Sequence, residues 1–147
     1  MAEAVSGTIL CDVTDGPAGA SAAEFAAALG ARLNLRLVLV HVARAAAQAG
    51  DERDQARPEQ ALDEIAARLG DGVETRIATG RDHAEALARI ADEEGADLIV
   101  VGGRPVGMGG RNLRAAVARE LEAVTPVPVL VAPPLTRPRS RQRLATR

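Results

Sequence analysis

The stretch with the most chemistry to offer is Asp97 to Ala116, DLIVVGGRPVGMGGRNLRAA. There an apolar strand runs into a glycine-rich loop and then into a helix. Such a junction binds phosphate in α/β proteins, because glycines let the backbone approach a ligand and the helix start offers unpaired N–H groups. Arg104, Arg111 and Arg114 add positive charge, and Gly102, Gly107, Gly109 and Gly110 keep the loop pliable. Two common phosphate signatures are excluded. The P-loop requires Lys followed by Ser or Thr at the helix start, whereas all 18 basic residues of this chain are arginine. A dinucleotide fingerprint begun at Gly107 would place Asn112 where its third glycine belongs.

Other reactive side chains are scattered. Asp12 and Asp15, at the carboxyl end of the first strand, fit either a metal–phosphate site or the polar lining of a switch-point crevice, and the lining is the simpler reading. His41 sits between two valines on a strand and reads as structural. His83 falls in the first turn of a helix and reads as solvated. Two separated histidines and one cysteine do not make a metal site, so no metal is expected. Cys11, inside a strand, reads as an inert core thiol. A G-x-S-x-G nucleophile elbow is absent and no Ser-His-Asp set is suggested, so catalysis is not expected.

Those residues must be positioned by a chain of 147 residues, long enough for one domain with a real core. Aromatics are 1% of the total against 47% hydrophobic residues, so the core must be built from Ala, Val, Leu and Ile. The same poverty of rings argues against single-stranded nucleic-acid binding. Five arginines fall in the last eleven residues; setting them aside, a net charge of −2 becomes about −7 for the rest. No apolar run is long enough to span a membrane and no signal peptide is recognised, so a cytoplasmic location is expected.

The hydrophobic pattern alternates β-α-β-α-β-α-β-α-β. Strands are expected at 8–13, 35–42, 73–78, 97–101 and 127–132, the third near an edge. The first helix starts near Pro17, with Ser21-x-x-Glu24 as a capping box and Phe25, Leu29 and Leu33 inward. Residues 43–57 read as partly disordered or loosely helical, with Pro58 opening the second helix over Leu62, Ile65, Ala66 and Leu69. Asp82-x-x-Glu85 caps the third helix, which Gly95 stops. The fourth buries Leu113, Val117, Leu121 and Val124. This is an α/β fold: a single-domain open, mostly parallel five-stranded sheet with helices on both faces. The domain is assigned to 1–132, and 133–147 reads as a disordered basic tail.

The order of elements, with ILCDV, LVLVHV, TGRDHAEALARIADEEGADLIVVGGR and VPVLVAP, resembles the universal stress protein family over residues 8 to 132. Gly80 to Gly102 is the most specific part. The resemblance implies a Rossmann-like sheet of strand order 3-2-1-4-5. It also implies a homodimer through the last strand, which places Val127, Val129, Leu130 and Val131 at the interface. An apolar edge strand with open backbone groups is physically suited to that pairing. Pro128 must then keep its missing donor out of the ladder.

Members of that family that hold ATP are implied to use a loop G-x-x-G, nine residues, then G-[S/T] for phosphates, with an Asp after the first strand for ribose. Counted from Gly102, the spacing here is kept, but Pro105, Ala115 and Ala116 stand at the other marked positions. Pro105 removes an N–H donor, Ala115 adds a methyl group and Ala116 lacks the hydroxyl. Thr14 takes the ribose position, with Asp15 one residue late, and Val42 keeps the adenine contact. The candidate nucleotide set is therefore Thr14, Asp15, Val42, Gly102, Arg104, Gly107, Ala115 and Ala116, and ATP with Mg is the cofactor it would take. With donors lost, the preferred expectation is a homodimeric stress-response module without tight nucleotide binding, acting on an unknown protein partner. The alternative is an ATP- or AMP-responsive switch. Nucleic acid or an anionic surface held by the arginine tail is not expected, nor is a membrane.

Overall fold

The computed structural model describes residues 7–14, 17–44, 52–102 and 113–133, apart from the side chains of 17–18, 44, 52–58 and 113–116. Its elements are β1 (Thr8–Asp12), α1 (Pro17–Leu33), β2 (Arg36–Arg44), α2 (Glu52–Leu69) and β3 (Glu74–Gly80). They continue through α3 (His83–Glu94), β4 (Leu98–Val101), α4 (Leu113–Val124) and β5 (Val129–Val131). The strands form one sheet in the order β3-β2-β1-β4-β5, every pair parallel. β3 is an edge strand, as its alternating pattern indicates.

Because β1 is central and covered on both faces, all five of its residues are buried. Alternate side chains then feed two cores. Ile9, Cys11 and Val13 join Ala22, Ala23 and Ala26 of α1 and Leu62 and Ala66 of α2 on one face. Leu10, Val38, Val40 and Ile99 join Leu87, Ile90 and Ala91 of α3 and Leu121 of α4 on the other. Small alanines let α1 lie close to the sheet. Gly19 is the extreme case: a methyl group there would sit 1.9 Å from the carbonyl oxygen of Thr14.

Several local expectations need correction. Ser21 does not cap α1, which has already begun a turn earlier at Pro17; its side chain is buried inside the helix. Leu33 and Val124 are 53% and 45% exposed, because each ends its helix past the sheet that would cover it. α2 starts at Glu52, ahead of Pro58; Glu, Arg, Gln and Ala favour helix strongly enough to extend it N-terminally. β2 correspondingly runs on to Arg44. Leu121 is fully buried and Val117 partly so, as the α4 stripe requires.

α3 behaves as its sequence dictates. The Asp82 carboxylate accepts from the amide of Glu85 at 3.1 Å, and Gly95 closes the helix at φ 64°, a left-handed conformation that favours glycine. Its last turn is tied to the amino ends of β2 and β3 by ion pairs. Glu94 receives Arg36 at 2.7 Å and Arg76 at 2.8 Å, while Arg36 also reaches Glu74 and Arg76 reaches Glu93. Hydrogen bonds from Arg76 and Arg36 hold the Glu94 carboxyl below its ordinary range. Arg36 further donates to the main-chain carbonyl of Glu94, an otherwise open acceptor at the helix end.

Pro128 stands just before β5 and contributes its carbonyl, which accepts from the amide of Ile99 at 2.9 Å. The ladder thus starts past the missing donor. Since Pro128 and Ala132 bond to β4, the backbone groups of Val129 and Val131 alternate toward the open edge.

Candidate functional site at the carboxyl ends of the strands

In a parallel sheet, ligands bind where neighbouring connections leave in opposite directions, beyond the carboxyl ends of the strands. Here that place lies between β1, whose chain turns to α1 and β2, and β4, whose neighbour β5 forms the other half. Asp12 is the last residue of β1, in register with Val40 on one side and Val101 on the other. Two residues beyond Leu10, it faces the α3–α4 side. It is a carboxylate only 2% exposed.

A charge so placed requires a partner. His83, the first residue of α3, supplies one: its Nε2 donates to Asp12 Oδ2 at 2.7 Å. The hydrogen bond to Asp12 raises the affinity of the imidazole for its proton above the ordinary histidine value. Burial opposes this, and the charges of Asp12, Asp82 and Glu120 reinforce it. The His83 ring is 36% exposed, so one side of the pair meets solvent while the other is enclosed. Asp12 Oδ1 is buried with no hydrogen-bond partner. Losing His83 from the pair would leave an enclosed carboxylate without its partner, a cost that solvent on the open side of the ring reduces.

The remaining candidates divide. Val42 is half-buried on β2 and packs on the same side as Asp12. Gly102, half-buried, directly follows β4, and Thr14 is exposed two residues past β1. These three line the ends of adjacent strands. Asp15, Arg104 and Gly107 lie outside the described residues, and Ala115 and Ala116 belong to the first turn of α4, where side chains are not described. Val127, Leu130 and Val129 are half-buried and Val131 is 37% exposed along the last strand.

His83 is a candidate side chain that spacing does not reveal. It is partly solvated, as expected, but also paired, with a partner 71 residues away. His41 is structural, as expected: its Nδ1 donates to the carbonyl of Val13 at 3.0 Å, bracing the exit of β1. Burial, with a smaller push from Asp12, holds the Cys11 thiol protonated and inert. Among the described residues no three His, Cys, Asp or Glu side chains converge on a metal position. None of the described helices is long and apolar enough to cross a membrane.

A model of the universal stress protein family matches residues 6–133. The chain belongs to the universal stress protein family. Among solved structures, the universal stress protein of Archaeoglobus fulgidus superposes with a TM-score of 0.72 at 20% identity, over 88% of this chain and 100% of that one. A universal stress protein family member from Burkholderia pseudomallei is 28% identical, with a TM-score of 0.67 over 91% of this chain and 100% of its own. A universal stress protein solved in complex with cAMP is 18% identical, with a TM-score of 0.68 over 90% and 100% of the two chains. No curated protein matches the sequence.

Proposed function

We propose that this universal stress protein acts through protein contacts as a homodimer and does not hold nucleotide tightly. The observation that carries the reading is the Asp12–His83 pair across the strand-end crevice. A base or ribose entering between β1 and α3 would have to part that pair. Parting it would expose an enclosed carboxylate without its partner and so weaken binding. The sequence adds to this. Pro105 and Ala116 each forgo a phosphate donor, and a charge-assisted hydrogen bond contributes about 1.5–3 kcal/mol. Together these terms carry a micromolar site into the millimolar range or beyond.

Dimerisation is supported by the open backbone groups of Val129 and Val131 and by the exposure of Val131 on the same edge. A chain with such an edge is expected to cover it with a second copy, and sedimentation equilibrium should give twice the monomer mass. Replacing Val131 with Arg should shift that mass toward the monomer.

The second reading, a nucleotide-responsive switch, draws on Val42 and Gly102, which remain at the crevice, and on relatives solved with cAMP and with dAMP. Calorimetric titration with ATP and magnesium, AMP and cAMP separates the two. The first reading expects no saturation below the millimolar range; micromolar affinity for any of them overturns it. Restoring Pro105→Gly with Ala116→Ser should raise ATP affinity by at least about tenfold, the effect of one recovered donor. If nothing is gained, the loop is not where nucleotide binds.

A further inference from the structure

Asp12 and His83 attach the start of α3 to the end of β1, and nothing in the family resemblance assigns them a task. We propose that this pair is a proton-operated latch, closing the strand-end crevice while the imidazole carries its proton and loosening the first turn of α3 when it does not. The latch rests on the reading of that crevice as the functional site, but its own test involves no nucleotide.

The geometry supports the device in three ways. Asp12 is enclosed and its second oxygen has no partner, so its charge is balanced by His83 among the described residues. Neutral His83 could still donate a hydrogen bond from Nε2, yet the carboxylate would then lack a counter-charge in a poorly solvated place. Secondly, the ring is partly open to solvent, so the proton can exchange without global unfolding. Thirdly, the influences on the ring oppose one another. A helix N-terminus disfavours an imidazolium, as does burial, while carboxylates favour it. Those carboxylates are Asp12 on β1, Asp82 at the cap of α3 and Glu120 on α4. Toward the same side β2 and β3 present Val40, Val42 and Ala78, which carry no charge. A histidine held by such a balance keeps its proton to a higher pH than an ordinary imidazole and releases it as pH rises further.

The direction follows from linkage. A histidine whose folded proton affinity is raised stabilises the fold fully below its unfolded value. That contribution fades as pH rises through the folded value. The latch therefore opens on the alkaline side, and the first turn of α3 gives way before the rest of the helix, whose far end is clamped by Arg36 and Arg76.

The test is an NMR titration of the full chain. The His83 midpoint should lie above the ordinary value of about 6.5. Amide exchange at Ala84 to Leu87, corrected for intrinsic base catalysis, should rise at least about tenfold between about pH 6 and pH 9. Asp12→Asn should lower the His83 midpoint and flatten the exchange profile. In His83→Gln, the first turn should exchange independently of pH. A wild-type midpoint at or below the ordinary value would overturn the latch. So would pH-independent exchange in the wild type, and neither result needs the variants to fold.

Discussion

Replacing Gly19 with alanine sets two effects against each other, and the structure decides between them. Gly19 is the third residue of α1, in its first turn, within a helix rich in alanine. Propensity alone would make Ala the better residue by about 0.8–1 kcal/mol. The added methyl group, however, would stand 1.9 Å from Thr14 O and 2.9 Å from both Thr14 C and Thr14 N. All three are backbone atoms, so no side-chain rotation relieves the contact, and Thr14 and the start of α1 must separate by more than about 1 Å against packed neighbours. Overpacking of this kind costs about 1–3 kcal/mol, of which the propensity gain recovers only part. The net loss should lower the melting temperature by about 2–8 °C for a domain of this size. Thermal denaturation followed by circular dichroism measures it. Ala28→Gly, at an exposed position of the same helix, isolates the propensity contribution and should lose about 1 kcal/mol. If Gly19→Ala melts at or above the parent temperature, α1 does not approach Thr14 as described.

Two further predictions concern the scaffold. Leu121→Ala empties a fully buried position under α4 and should cost about 2–5 kcal/mol in denaturant unfolding, with the slope unchanged. Glu94 keeps its carboxylate below the ordinary range through Arg76 and Arg36, so the stability it contributes is present above the unfolded value and lost as pH falls through the folded one. Melting temperature against pH should therefore decline less steeply on the acid side in Glu94→Gln than in the parent, and equal slopes would remove Glu94 from the account.

Most of the scaffold is legible in the sequence because its signals are local. ILCDV and LVLVHV are apolar without alternation, which only a strand covered on both faces sustains. Asp82, Glu85 and Gly95 announce both ends of α3 by cap chemistry. Strand order is different: periodicity does not specify it, and it was available only through the family resemblance. Local signals also mislead when they compete. Ser21 and Glu24 have capping-box spacing, but Pro17 starts the helix first. Leu33 and Val124 keep helical spacing yet run past the sheet. The Asp12–His83 contact escapes pattern reading because it joins residues far apart in the chain. One hint was present: a carboxylate within an otherwise apolar strand demands a cation or donor from elsewhere.

The ties on α3 are unequal, and this has a mechanical consequence. Two guanidinium groups and three carboxylates share the load at Glu94, so removing one bond there leaves others in place. The opposite tip, about 18 Å away for twelve residues, is joined to the sheet among the described residues by the His83–Asp12 hydrogen bond, with the Asp82 cap local to the helix. The helix is in effect a lever with a fixed fulcrum, and a small event at its loose tip would be felt as a tilt against α4, its neighbour on that face.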